Sequence, residues 1–576
     1  MRAFAPVVLL AAASGVHATP RAPADLILYD AHVVTESPDQ ADARAIAIAG
    51  QRIVAVGTDR EILEQRGPKT RAIDLHGMTV VPGFVDSHAH FLDTGEALSE
   101  LDVSAAQAPS WDDIVREVAE AARHAKRGEW IIGNGWHQEH WTHPPRESVE
   151  GLPAGRELDA VSPDNPVLLQ HASGHAIFVN SVALRLAGIG AGTPNPPGGE
   201  IVRDASGRAI GMLRDSAMRP VLAALEKSRA AQTPAAKRRR LLDEVALATH
   251  DALEHGVTSW QDMGQPFETL DLYRSLAAQG KLGVRLYAFV SDEPVAALKA
   301  HLAHYRLIDY GKDGLLTVRG IGEILSDGAL GTHSAWFFEP YLDVPTTRGY
   351  SVTPLATIRA LAEVAMADDF QISVHAIGAR ANHEVLDIYQ AVMAEHPGKS
   401  DLRWRIDHAQ HLLPADIPRF AALHVIASMQ TGHACDDAPY VVRRIGAARA
   451  ASSYAWHSLI ESGAIIANGT DAPVIPIDTM PNFFCAVTRR ERFSPEGAPF
   501  YPREAMTRRE ALRAYTYNGA YSMFKERELG TLEAGKLADL VVLDHDILTA
   551  PAPEILATHV LYTVLGGKVV YQRRRG

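Results

Sequence analysis

Two rhythms of apolar and polar residues divide the chain. From Ala24 to Val81 short alternating runs recur, among them Leu26-Ile27-Leu28, His32-Val33-Val34-Thr35, Ala45-Ile46-Ala47-Ile48 and Ile53-Val54-Ala55-Val56, separated by turn residues such as Gly50-Gln51. Such runs predict strands of a small sheet joined by tight turns. The far end repeats the pattern: residues 538–544, Ala-Asp-Leu-Val-Val-Leu-Asp, echo Ala24 to Asp30, and Gly566-Gly567-Lys568-Val569-Val570-Tyr571 echoes the hairpin. Matching strand chemistry at both ends predicts one small β-sandwich domain built from both termini, residues 19–81 and 530–576.

The middle alternates amphipathic helices with short β-branched strands. A helix opens at Ser110, a capping residue with Asp113 three positions on, and closes at Gly128. Helices over 236–255 and 267–279 end at Gly256 and Gly280, and each precedes a strand, 257–260 and 284–290. The cycle continues with helices at 357–367, 383–393, 418–423 and 453–462, followed by strands at 371–375, 404–408, 425–429 and 465–468. Repeated βα units predict a parallel sheet with helical crossovers, and this number of them predicts an α/β fold with a closed (β/α)8 TIM-like barrel over residues 82–529. A Pro- and Gly-rich stretch from about 128 to 219 breaks the cycle and is read as a substrate-facing insertion.

Composition narrows the field. The chain has 576 residues, 47% hydrophobic and 22% charged, so it can bury a large core. A net charge of −13 disfavours nucleic acid as a partner. Residues 1–18 carry a secretory signal pattern: Arg2, an apolar run from Ala3 to Ala13 too short to span a bilayer, and small residues up to Ala18. The reading is an exported protein, periplasmic or secreted, without stable membrane insertion once the signal is removed. Export would put Cys435 and Cys485 in an oxidising compartment, and the sequence leaves their pairing open. Two cysteines against 26 histidines exclude a cysteine-rich metal module and keep histidine-based metal chemistry open.

The chemistry concentrates at predicted strand ends. In Pro82-Gly83-Phe84-Val85-Asp86-Ser87-His88-Ala89-His90 the two imidazoles fall at i and i+2, hence on one face of a strand. The pair alone fits a satisfied polar cluster as well as a metal site. His375, His408 and Asp471 each close a later strand, and in a β/α barrel those ends converge on one face. Four imidazoles and a carboxylate suit zinc and leave room for water. Trp136-His137-Gln138-Glu139-His140-Trp141 lacks the helical spacing of a zincin and is read as shaping the pocket mouth. No Gly-x-Ser-x-Gly elbow is present.

Several segments carry a family resemblance. They are 82–90 above, Gly-His-Ala-Ile-Phe-Val-Asn-Ser-Val-Ala-Leu at 174–184, Pro-Gly-Gly-Glu-Ile at 197–201, Ser-Asp-Gly-Ala-Leu-Gly at 326–331, Val-His-Ala-Ile-Gly at 374–378, Asp-His-Ala-Gln at 407–410, Gly-Thr-Asp-Ala-Pro-Val at 469–474 and Gly-Lys-Leu-Ala-Asp-Leu at 535–540. In this order they resemble the amidohydrolase superfamily, and within it amidohydrolase family 3, the YtcJ-like hydrolases. The resemblance implies a metal-dependent barrel that hydrolyses C–N bonds of non-peptide amides in a small-molecule substrate, with one or two divalent ions, and points to a homodimer. The family's bridging lysine is replaced by Glu323, whose two oxygens would serve as a ligand directly. Two further departures, Ala379 for an Asp and His333 for an Arg, bear on substrate class.

The implied site comprises His88, His90, Glu323, His375, His408 and Asp471 as metal ligands, with Asp471 also the proton shuttle. His175 and His333 are the candidate substrate contacts. The alternatives are the same metal water acting on an ester, lactone or carbamate, and a catalytically silent barrel that serves as a binding protein.

Overall fold

The computed structural model describes residues 23–40, 42–104, 107–138, 141–149, 151–171, 176–196, 199–291, 294–491 and 494–574. The signal pattern at 1–18 therefore lies outside the described residues, as does His175. Eight parallel strands run in sequence order around a nearly closed barrel: β1 (Phe84–Ala89), β2 (Val257–Gln265), β3 (Arg285–Val290), β4 (Leu316–Leu325), β5 (Gln371–Ala376), β6 (Arg405–His408), β7 (Ile426–Met429) and β8 (Ile466–Asn468). Helices such as Phe267–Gln279, ended by Gly280 in the left-handed region, cover the outside, so the strands are buried on both faces and read as apolar runs. The mixed α/β barrel expected from the βα cycling is the architecture observed.

The barrel closes between its first and last strands through the residues just beyond them. Thr470 donates to the Asp86 carboxylate from its hydroxyl (2.6 Å) and its backbone N–H (3.1 Å). The Asp471 N–H donates to the His88 carbonyl at 2.7 Å, and the His90 N–H to the Ala472 carbonyl at 2.8 Å. Glycine is required at 469, because a Cβ there would lie 2.5 Å from the His88 nitrogen.

Two further sheets flank the first strand. A four-stranded sheet takes Ala24–Tyr29, Ala45–Ala49, Arg52–Gly57 and Arg66–Asp74. A six-stranded sheet joins Leu540–Leu543, Val560–Leu565 and Lys568–Gln572 from the C-terminal end to Thr79–Pro82, His32–Val34 and Asp42–Ala43 from the N-terminal end. Leu26, Ile46 and Ile48 of one sheet share a buried cluster with Val80, Leu540 and Val564 of the other, which makes the pair a sandwich.

The excursion from the barrel differs from the expected 128–219. Its six-stranded sheet begins at Leu101–Asp102, which pairs with Ile131–Trp136, and its packing reaches Leu225. Ser110 does cap a helix, but that helix is Trp111–His124, ends short of Gly128, and buries Trp111, Ile114 and Val118 against the excursion. An amphipathic pattern shows that a helix has a sheet to cover and not which sheet, hence the misplaced boundary. Trp136 is likewise in the core of the excursion, stacked with Trp141 at 5.9 Å and donating to the Leu169 carbonyl at 2.9 Å, so it does not shape a pocket mouth.

Barrel and sandwich are joined by a buried ion pair. Arg285, on β3, donates to both Asp539 oxygens, at 2.6 and 3.0 Å, and Asp539 also accepts the Gly566 N–H at 2.7 Å. Removing one partner of a buried pair strands the other charge. Asp539→Ala is expected to cost about 3–5 kcal/mol, read as a lower denaturation midpoint; an unchanged midpoint would show that the pair does not hold the two parts together.

Candidate metal centre

Strand ends place the predicted residues at one mouth of the barrel. His88 is on β1 and His90 just past it; Glu323 is near the end of β4, His375 on β5, His408 at the end of β6, and Asp471 follows β8. His408 (φ 69°) and Asp471 (φ 65°) leave their strands through the left-handed region, which turns their side chains back over the mouth. Glu323 is central: one oxygen lies 2.9 Å from both His375 Nδ1 and His408 Nε2, the other 3.7 Å from His88 Nε2. Asp471 Oδ1 lies 3.4 Å from His88 Nε2 and 3.2 Å from His90 Nε2.

Among the described residues three trios at this mouth bring one ligand atom each within 4.8 Å: His88, Glu323 and His408; His88, His90 and Asp471; and His408, His433 and Asp471. His375 joins the cluster through Glu323. His88 Nε2 is buried with no hydrogen-bond partner, and the assembled donors are imidazole nitrogens and carboxylate oxygens, so the residues fit a zinc-like divalent cation.

The electrostatics agree. Burial alone would raise the Glu323 carboxyl, but the charge on His88 and hydrogen bonds with His375 and His408 hold it well below the usual range. Burial would also raise Asp471, and the imidazoles of His88 and His90 close beside it outweigh that and lower it. In return, burial pulls His90 down but the Asp471 carboxylate pushes it up to about 9. Two buried carboxylates thus draw positive charge to the mouth, a role a bound cation would fill.

The model of the amidohydrolase family matches residues 71–571. The chain belongs to the amidohydrolase family. Full-length relatives include Protein LONG AFTER FAR-RED 3 of Arabidopsis thaliana (32% identical over 95% of this chain and 92% of that protein) and the putative amidohydrolase YtcJ of Bacillus subtilis (31%; 94% and 98%). The N-substituted formamide deformylase of Arthrobacter pascens is 29% identical over 95% of this chain and 98% of its own length. Among solved structures, a metal-dependent hydrolase of Pyrococcus furiosus aligns over 91% of this chain and all of its own, at 26% identity and a TM-score of 0.71.

Around these candidate ligands the amidohydrolase builds a second layer. Asp407 Oδ1 faces His88 Nδ1 at 3.4 Å and accepts from Arg405 Nε at 2.7 Å; Arg405, fully buried, also donates to Gln261 at 2.6 Å and to the Ser87 carbonyl at 2.5 Å. Burial would raise Asp407, and Arg405 beside it pulls it well down, which keeps a carboxylate behind His88 to orient the ring. On the opposite side of β5 Asp327 accepts the backbone N–H groups of Ile377 (2.9 Å), Gly378 (2.8 Å) and Trp336 (2.7 Å), fixing the loop after His375.

His333 is held elsewhere, between Asp343 (3.1 Å) and Arg444 (2.9 Å). A cavity of about 630 Å³ opens between the first helix past His90, the loop past Asp471 and the excursion, lined by Asp93, Asn134, His171, Leu222, Pro473 and Val474. Sequence reasoning missed His433 and Asp407. The signal for His433 was its place in the first turn after β7, a strand that, like β2 and β3, had no site residue assigned to it; Asp407 stood next to the candidate ligand His408.

Asp407→Asn keeps the size of the side chain and removes its charge. It is expected to weaken metal affinity about 10–100-fold in chelator competition; equal affinity would remove Asp407 from the support of His88.

Proposed function

We propose that this amidohydrolase cleaves a non-peptide C–N bond, with N-substituted formamides as the substrate class to try first and zinc as its ion. The observation that carries the reading is the gathering of His88, His90, Glu323, His408 and Asp471 at one barrel mouth beside a cavity of small-molecule size. The formamide class is supported by the deformylase relative, which matches along nearly its whole length. The nitrogen and oxygen donor set favours zinc.

A divalent ion bound there supplies Lewis-acid polarisation and a water acidic enough to lose its proton near neutral pH. The chain's own residues do the rest. Asp471, kept ionised by its imidazole neighbours, takes the proton from the attacking water and returns it to the departing nitrogen. Glu323 ties His375 and His408 to a common centre. The excursion lines one side of the cavity through Asn134, Leu168 and Gln170. Export to an oxidising compartment is supported by the leader pattern and by the Cys435–Cys485 disulfide, whose Cα atoms are 6.1 Å apart.

The test is formate release from N-benzylformamide against benzyl formate by the zinc-loaded protein. The expected outcome is amide cleavage abolished by chelation; turnover of the ester alone would overturn the C–N reading. Asp471→Asn should lower turnover about 10²–10⁴-fold with an unchanged unfolding temperature, and full activity in that variant would remove Asp471 as the shuttle.

A further inference from the structure

His433 stands third in the helix Thr431–Ala450, directly after β7, and that first turn is braced from several sides. Thr431 N–H donates to Asn468 Oδ1 at 3.2 Å, Gly432 N–H to Asn482 Oδ1 at 3.0 Å and Thr431 Oγ1 to the Asn482 carbonyl at 2.8 Å. Two residues further on, Cys435 is bonded to Cys485 in the helix Thr479–Thr488. The imidazole so held lies nearly parallel to His408, with ring centres 5.8 Å apart and planes at 13°. Its Nε2 is buried without a hydrogen bond, 3.6 Å from Asp471 Oδ2.

The other ring nitrogen sets the tautomer. Gln410 Nε2 lies 3.2 Å from His433 Nδ1. With the Gln410 amide in this orientation its N–H donates to Nδ1, which leaves the ring hydrogen on Nε2. In that tautomer Nε2 has no lone pair for a cation, which takes His433 out of the trio with His408 and Asp471 as a ligand. It is a donor 3.6 Å from Asp471 Oδ2, the shuttle of the proposed mechanism, and a donor so placed can stabilise negative charge that develops on a carbonyl oxygen.

We infer that His433 is a further catalytic residue, donating Nε2–H to the substrate carbonyl oxygen and to the tetrahedral oxyanion, and that Gln410 is the positioning residue that keeps the hydrogen on Nε2. This rests on the C–N hydrolysis proposed above. The water oxygen bonds to the carbonyl carbon, the π pair moves onto the carbonyl oxygen, and Asp471 takes the water proton. Collapse re-forms the C=O bond, breaks C–N and passes that proton to nitrogen, giving a carboxylic acid and an amine. The Nε2 hydrogen stays on His433 throughout.

The opposite orientation of the Gln410 amide would leave a lone pair on Nε2 and make His433 a cation ligand, and metal content separates the two. The experiment uses the zinc-loaded full chain, its H433A, H433Q and Q410E variants, zinc stoichiometry, kcat and KM, and calorimetric binding of methylphosphonate as a tetrahedral anion. In H433A, kcat is expected to fall about 10²–10³-fold with zinc stoichiometry unchanged and methylphosphonate binding weakened at least about tenfold. H433Q, which restores an N–H donor, is expected to recover part of both losses. Q410E, whose carboxylate draws the hydrogen to Nδ1, is expected to shift kcat and phosphonate binding in the direction of H433A.

Loss of zinc in H433A, unchanged kcat and phosphonate binding, or no binding of methylphosphonate by the unmodified protein would each overturn the assignment. If the unmodified protein cleaves no amide while H433A still weakens methylphosphonate binding with its zinc retained, the C–N reading fails and the donor role of His433 stands.

Discussion

The seam between the first and last barrel strands is the constraint on which the site depends. His88 and His90 belong to one end of the barrel sequence and Asp471 to the other, 381 positions from His90 to Asp471. Backbone hydrogen bonds across the seam, from Asp471 to His88 and from His90 to Ala472, fix their relative register to a fraction of a residue. A slip of one residue in a parallel pair would turn alternate side chains to the other face and separate the ligands. The missing side chain at Gly469 allows the approach, and Thr470 locks it onto Asp86. The hydrophobic effect, acting through the large barrel core, makes the chain compact; the seam decides which polar atoms meet.

What meets there is costly in isolation. Glu323, Asp407 and Asp471 are carboxylates removed from water, and each is offset by a named positive or hydrogen-bonding partner: the imidazoles for Glu323 and Asp471, Arg405 for Asp407. Left-handed backbone at His408 and Asp471 adds strain of order 1–3 kcal/mol at each. The surrounding apolar strands stabilise the fold enough to carry these terms. Arg405, bonded to Gln261, the Ser87 carbonyl and Asp407, ties β1, β2 and β6 together beneath the candidate metal centre.

Much of this was legible from the chain. Strands rich in β-branched residues alternating with capped helices announced the barrel, and the rule that strand ends converge brought His88, His90, His375, His408 and Asp471 together from distant segments. Strand β4 was not read as one, because Leu316-Thr317-Val318-Arg319-Gly320-Ile321-Gly322-Glu323 mixes two glycines and an arginine into an apolar run; Glu323 was found through the family pattern alone. His433 escaped because it sits inside a helix, where a histidine carries no periodic signal of function. The start of the excursion escaped because Leu101–Asp102 is two residues long and depends for its identity on a partner 32 positions away.

The excursion has its own buried clusters, around Trp111, Trp136 and Phe178 and around Leu168, Leu184 and Leu213, distinct from the cluster that fills the barrel wall. A wall of the cavity beside the candidate metal centre is thus supported by packing that the candidate ligands do not share. Mutational changes absorbed within those clusters can alter which molecules fit while the ligand geometry stays as it is.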